Sequence, residues 1–368
     1  MGLRRRITII GRRLGIVAVA MAGVALAFAQ GASAATMLVS TSRPIVGLAY
    51  DGTYLAWDTR PDRCTFGNDD PASRFHIRNL ANGAQANIAE PGSSPCARPT
   101  LAGPAAIWTD AGEAWDITLY TASLAVPTPT PLQAFGGRGP PLTDLLDTAG
   151  DGSLLAYSWV TYDFEDPDSC FSTGVGCDYV VTDYGLDRVV NGNRVAVPGA
   201  PLGRRLAASD GRIALQPRPI TTPYPQPALQ RVEIYNAVSG AVIATCEPSV
   251  GTIRAIAFSG PRFAVLTGTS TAKQIQIFDA ATGDQVSTHS VNITVAAKLD
   301  MSSAGVLYRR GTRLVLLDPE TGLRRVHQLR VPPAGFAIEG TRVVWASNLG
   351  GHGEIHALAA WNFGPATA

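Results

Sequence analysis

One pattern limits the folds open to this chain more than any other. A tight turn ending in glycine, followed by a short apolar run, recurs along most of its length. It reads YDGTYLAW (Gly52, Trp57), LAGPAAIW (Gly103, Trp108), GDGSLLAY (Gly152, Tyr157), SDGRIALQ (Gly211, Gln216), FSGPRFAV (Gly260, Val265) and IEGTRVVW (Gly340, Trp345). In all six copies the last residue stands five after the glycine. A seventh copy, MSSAGVLY, has Ser303 at the glycine position and Gly305 two places later. Such turns between apolar runs mark hairpins, because glycine takes positive φ without steric cost.

A second mark is an apolar run entering a polar turn: IRNLANGAQA, IYNAVSGAVI, IFDAATGDQV and LLDPETGLRR. Their lead residues are Asn79, Asn236, Asp279 and Asp318, separated by 157, 43 and 39 residues. The long gap contains the marks at Gly103 and Gly152 and so spans several periods. Asn or Asp can bond its own downstream backbone and start a turn that glycine completes. Each period then reads strand a, turn, strand b, variable loop, strand c, turn, strand d. Four short strands in roughly 40–50 residues are the signature of a β-propeller blade. Seven marks predict an all-β, seven-bladed β-propeller over residues 35–368. No helical periodicity is visible after residue 35. The seventh blade has strands a, b and c but no d before the chain ends in GPATA. An open sheet edge is costly in a closed ring. The segment TMLVSTS can fill it, with Met37–Ser42 pairing with Ile355–Trp361.

IQIFDAATGDQV resembles repeats of the pyrroloquinoline-quinone-type and related bacterial extracytoplasmic propellers, and GLAYDGTYLAWDTR resembles TolB-like repeats. Tryptophan-aspartate repeats of the WD-like type are not present in register. The resemblance spans most of residues 44–362 and implies the propeller fold. The motifs that carry it shape turns and hold no catalytic residues, so it implies no particular activity.

The amino terminus reads differently. Arg4, Arg5, Arg6, Arg12 and Arg13 precede an apolar run from Leu14 to Ala29, and Ala32-Ser33-Ala34 follows as a small-x-small site. That is the pattern of an export signal, placed at residues 1–34. The apolar run is short for a membrane span of ~20 residues. No second segment is apolar enough to cross a bilayer, so a secreted or cell-envelope protein without stable membrane insertion is expected. With 30 basic and 29 acidic residues the net charge is +1, which suggests neither nucleic acid nor an anionic membrane as partner. The expected state is a monomer.

Alternating strand direction puts the b–c and d–a connections on one face, and that face carries the insertions 58–73, 160–177 and 217–230. All five cysteines fall there too. In an exported protein they predict disulfides with one thiol left over. Cys170–Cys177 and Cys64–Cys96 are the expected pairs, with Cys246 spare, although four cysteines allow three pairings.

Several residues could carry chemistry. Asp163, Glu165, Asp166 and Asp168, in the loop DFEDPDSCFSTGVGCD, could chelate calcium, but their spacing matches no calcium loop and a solvated acidic loop is the better reading, one that would serve as a partner loop in a binding protein. His352, Glu354 and His356 alternate on one strand, short of a zinc set, since His76, His289 and His327 lie in other blades. Trp57, Trp108, Tyr157, Tyr308 and Trp345 end successive b strands, a register that predicts packing between blades. The start of strand a carries Arg43, Arg98, Arg204, Arg205, Arg254 and Lys298. Guanidinium forks gathered in a channel would favour a carboxylate, a sulfate or a sugar acid. No nucleophile elbow, P-loop or paired-histidine zinc helix is present, so no metal and no cofactor is assigned. The leading reading is a binding or scaffold module whose partner is a protein, a glycan or a small anion. The rival is a propeller enzyme, a lyase, lactonase or glycan hydrolase, using Asp144, Asp163 or Glu165 as acid or base.

Overall fold

The strands form where the turn marks place them. In this computed structural model the described residues are 34–59, 74–89, 99–111, 117–136, 141–174, 177–249, 251–269, 272–293 and 298–365. They contain seven antiparallel sheets. Blade 1 runs from Ile45–Tyr50 through Tyr54–Thr59 and Arg74–Asn79 to Gln85–Ala89, and blade 2 from Thr100–Ala102 to Thr130–Phe135. Blade 3 opens with the long strands Leu142–Asp151 and Leu154–Phe164 and ends at Asn193–Ala196. Blade 4 spans Gly203–Ser209 to Val242–Cys246, blade 5 Thr252–Ser259 to Gln285–Val291, and blade 6 Leu299–Ser302 to Arg324–Gln328. Blade 7 consists of Gly335–Glu339, Arg342–Leu349, His352–Ala359 and the amino-terminal strand Thr36–Thr41. The a strands of neighbouring blades touch all the way round, from blade 1 to blade 2 and on to blade 7 beside blade 1.

Burial follows position in the blade. Strand b is almost wholly buried, as in Tyr54–Thr59, whereas strand d alternates, as in Gln85–Ala89. The inner strands are covered on both faces by neighbouring blades and read as continuous apolar runs. The aromatic ends of the b strands pack against the preceding blade. Trp57 lies with Val344 and Ala346 of blade 7, Trp108 stacks on Phe75 of blade 1 at 4.3 Å, and Tyr157 meets Leu119 and Phe135 of blade 2.

The second sequence mark has a direct structural cause. Asn79, Asn236, Asp279 and Asp318 each accept the amide two residues downstream, at 2.8–2.9 Å. The glycine four residues on donates back to the lead residue's carbonyl in every case. At Gly283 the constraint is double: φ is +81°, and a Cβ would lie 2.2 Å from the Thr245 carbonyl of the preceding blade. The c–d turn therefore sets how closely adjacent blades approach as well as the hairpin itself.

The amino-terminal strand closes the ring as expected, with a shifted register. Thr36 pairs with Ala357 and Thr41 with Gly353. The partner segment stops short of Trp361 because Ala360–Asn362 turn away as a 3-10 helix. Two elements were not foreseen. Gly364–Pro365 adds a fifth strand to the outer edge of blade 6, with Gly364 opposite Val326. A helix, Pro167–Thr173, interrupts the all-β chain. Its seven residues are too few to show a helical period; instead Asp166 caps its start, accepting from the Ser169 amide, and Gly174 ends it with φ +75°. The Cys170–Cys177 disulfide forms across this helix, and Cys246 is a free, buried thiol. The expected Cys64–Cys96 pair lies outside the described residues.

Deleting residues 36–41 exposes the edge of His352–Ala359 and removes Val39 from the cluster it shares with Trp57, Val344 and Ile355. Scanning calorimetry is expected to show a melting temperature lower by about 10 °C or more, since a kcal/mol is worth about 2–4 °C in a large domain. An unchanged melting temperature would refute closure by this strand.

Candidate functional site

Strand a starts at the face carrying the long loops, and among the described residues it begins with a β-bulge in four blades. Register slips between Ile45 and Gly47, Leu145 and Asp147, Arg204 and Leu206, and Ile253 and Ala255. The extra residue is Val46 in blade 1, Leu146 in blade 3, Arg205 in blade 4 and Arg254 in blade 5. A bulge leaves one residue out of the ladder and re-aims its side chain. Arg205 has a φ of +60°, a conformation that non-glycine residues seldom adopt. Its Nε donates to the Arg254 carbonyl at 2.9 Å and its Nη1 to Gln216 Oε1 at 2.7 Å. Gln216, 1% exposed, stands where most other blades have tryptophan or tyrosine. The polar departure from the repeat is the acceptor for the bulged arginine.

Arg204 precedes the bulge, is exposed, and its side chain makes no hydrogen bond or ion pair among the described residues. Arg254 Nε points to the Gly268 carbonyl at 3.4 Å. A fourth arginine, Arg218, was missed in sequence because it begins the 217–230 loop rather than a strand a. Its Nη1 donates to the Tyr224 hydroxyl at 3.1 Å, and its Nε is buried without a partner. Burial, then the charge of Arg204, holds the Arg205 pKa below its ordinary value; Arg254 and Arg218 add to this, and Asp147 opposes it. Four guanidinium groups thus share one electrostatic neighbourhood. The other members of the expected set are dispersed. Lys298 donates to the Phe336 carbonyl at 3.1 Å, Arg43 lies at the start of blade 1, and Arg98 lies outside the described residues.

The acidic loop is a built wall. Strands b and c of blade 3 extend as far as Phe164 and Tyr179, and the disulfide and capped helix close their tip. Asp163 Oδ1 accepts the Phe164 amide and Asp166 is the helix cap, so both carboxylates serve the backbone. Glu165 and Asp168 are exposed. Tyr179 also pairs with Tyr224 of the blade 4 loop, tying the hairpin across to the next blade. Between them sit Tyr162, 4.9 Å from Tyr179 and 5.2 Å from Tyr224, and Phe164, stacked on Tyr179 at 5.0 Å. The Tyr162 hydroxyl donates to Asp144 Oδ2 at 2.9 Å. Asp144 therefore accepts from a phenol.

The opposite end of strand a carries acids. Asp51, Asp151 and Glu339 stand at the a–b turns of blades 1, 3 and 7. Two of them join blades: Asp51 accepts the Gly103 amide of blade 2, and Asp151 accepts the Asp210 amide of blade 4 at 2.8 Å. Ser209 does the same for Gly260 of blade 5 at 2.8 Å. Burial raises the pKa of Asp51, Asp151 and Glu339 above the usual carboxylate range, and for Glu339 the nearby Asp151, Asp300 and Asp51 raise it further. Among the described residues no group of three or more His, Cys, Asp or Glu side chains is placed to hold a metal ion.

His327 is closer to the HGEIH segment than its sequence position suggested. Its ring lies 4.9 Å from Trp345, which in turn stacks on His356 at 5.5 Å. Burial and the neighbouring His356 hold the His327 pKa below its ordinary value. His356 itself bonds Glu354 at 2.9 Å. The cluster joins blades 6 and 7 and packs on Phe363 of the carboxy-terminal segment.

No protein-family model and no curated protein matches the sequence. Among solved structures, the chain is similar to the computationally designed Ika8 protein, with 12% identity, a TM-score of 0.48 and coverage of 88% of this chain and 86% of that one. It is also similar to KlHsv2 with loop 6CD replaced by a Gly-Ser linker, with 11% identity, a TM-score of 0.47 and coverage of 82% and 89%. Likenesses of this strength assign neither ligand nor activity.

The acidic end yields a test of the electrostatics. A carboxyl whose folded pKa is raised adds stability below its unfolded value of about 4.3 and loses it as pH climbs through the folded value. At pH 7 Glu339 therefore works against the fold, and Glu339→Gln should raise the melting temperature by about 2–4 °C. At pH 4 the gain should shrink. A variant less stable than the parent at pH 7 would show that Glu339 is not repelled there.

Proposed function

We propose that this propeller is an exported binding module, without turnover, that takes an anionic ligand at the loop-bearing mouth of blades 4 and 5. The observation that supports it is the gathering of Arg204, Arg205, Arg218 and Arg254, in which Arg205 donates to the Arg254 carbonyl and Asp147 opposes the other charges. Like charges held together in partial burial repel, and an anion accepting from their forks offsets that cost. Bulges and positive φ at such a position are features that cluster at functional sites. Arg43 and Lys298 lie just before strand a of blades 1 and 6, and the blade 3 loop with Glu165 and Asp168 flanks the mouth as the surface for a larger partner.

The double variant Arg204→Ala/Arg254→Ala tests this reading. Among the described residues the Arg204 side chain makes no hydrogen bond or ion pair and that of Arg254 only a long one, so the melting temperature should stay within a few degrees. Titration calorimetry with citrate and with inorganic sulfate should show the parent binding and the variant at least about tenfold weaker, the scale expected when a charge-assisted bond is lost. Equal binding by parent and variant removes the mouth from consideration.

A further inference from the structure

The arginines are one side of a composite surface whose other side is aromatic and acidic. Resting on the anion reading above, we infer that the ligand is an acidic sugar, a pyranose ring bearing a carboxylate. Three features must be met by one ligand. The guanidinium cluster asks for negative charge, and a bare sulfate would satisfy it. Asp144 asks for the opposite: it is exposed, accepts from the Tyr162 hydroxyl, and favours a ligand that donates hydrogen bonds. The rings of Phe164, Tyr162 and Tyr179 remain only half-buried although they touch one another, and they ask for an apolar face.

The elements are continuous. Asp144 bonds Tyr162, Tyr162 packs on Tyr224, and Tyr224 lies under Arg218, whose charge reaches Arg205. A uronic acid carries all three complements: a carboxylate for the forks, hydroxyls for Asp144, and a face of C–H bonds for the tyrosines. A simple inorganic anion offers only the first. A neutral sugar lacks it and leaves the arginines uncompensated. The wall is also pre-organised. A disulfide, a capped helix and the Tyr179–Tyr224 bridge hold the aromatic hairpin in place, so little ordering is left to be done on binding.

The test uses the full chain and six probes: trimers of galacturonic acid and of glucuronic acid, the methyl-esterified form of each, free galacturonate, and inorganic sulfate. Calorimetry is expected to show at least one acidic trimer binding at least about tenfold more tightly than sulfate, and its ester at least about tenfold more weakly than the acid. Free galacturonate binding as well as the trimer would place a monosaccharide in the site; tighter trimer binding would place a chain. Tyr179→Ala should weaken the trimer about tenfold and leave sulfate unchanged, and Tyr179→Phe, which keeps the ring and the fold, should restore trimer binding. Sulfate binding with no preference for either trimer, or equal binding of acid and ester, overturns the sugar assignment and leaves the anion reading standing. Binding of none of the probes overturns both.

Discussion

The structure depends on a strand from one end of the chain completing a sheet begun at the other. Blades 1–6 each draw four strands from a continuous stretch. Blade 7 cannot, because its third strand is followed by a 3-10 turn and then by residues that leave for the edge of blade 6. Thr36–Thr41 supplies the missing edge. This makes the ring a circle topologically as well as in space. Val344 and Ala346 of the last blade share one buried cluster with Trp57 of the first and with Val39 of the closing strand. Closure therefore sets the seating of blade 1, and through the chain of contacts between a strands, that of every other blade.

A second layer of contacts constrains what the inner wall can be used for. Packing between blades is apolar on all the inner strands, and the a strands add polar bonds between blades. Thr100 bonds Thr148 at 2.6 Å, Asp147 accepts the Leu206 amide at 2.8 Å, and Asp300 accepts the Ile338 amide at 3.2 Å. Backbone donors facing the ring axis need partners, and side chains of the neighbouring blade provide them. Arg205 and Lys298 join this stitching, each donating to a carbonyl of the next blade. Charged residues on strand a are thus divided between holding the ring and facing its mouth. Lys298 belongs to the first group and Arg204 to the second, while Arg205 takes part in both.

What the sequence made legible was whatever is local. Glycine at positive φ and an Asn or Asp bonding two residues downstream leave marks in five or six consecutive residues, and those marks counted the blades. The strand that closes blade 7 could be inferred because a sheet with a missing edge demands one. Contacts made across blades left weaker traces. The bulges at Arg205 and Arg254 have no spelling of their own, though Gln216 in an aromatic register hinted at the first. Arg218 sits in a loop whose path depends on Tyr179 of another blade. The helix Pro167–Thr173 announced itself only by a cap and a proline, too short for a period. His327 reached Trp345 and His356 because sheets 6 and 7 are neighbours, which separation along the chain conceals.

The two ends of the inner wall carry opposite sign, and this bears on how the proposed anion would arrive. Asp51, Asp151 and Glu339 line the a–b turns with burial and mutual repulsion already working against their ionised forms. An anion approaching from that side meets a repulsive field; from the loop-bearing side it meets the arginines first. With a net charge of +1 the chain as a whole steers nothing, so any selection of approach must come from this local separation. On the proposed reading the acids hold the turns of adjacent blades together at one end, and at the same time confine the ligand to the other. The blade 3 hairpin stands at the favoured end, and its aromatic side meets whatever the arginines draw in.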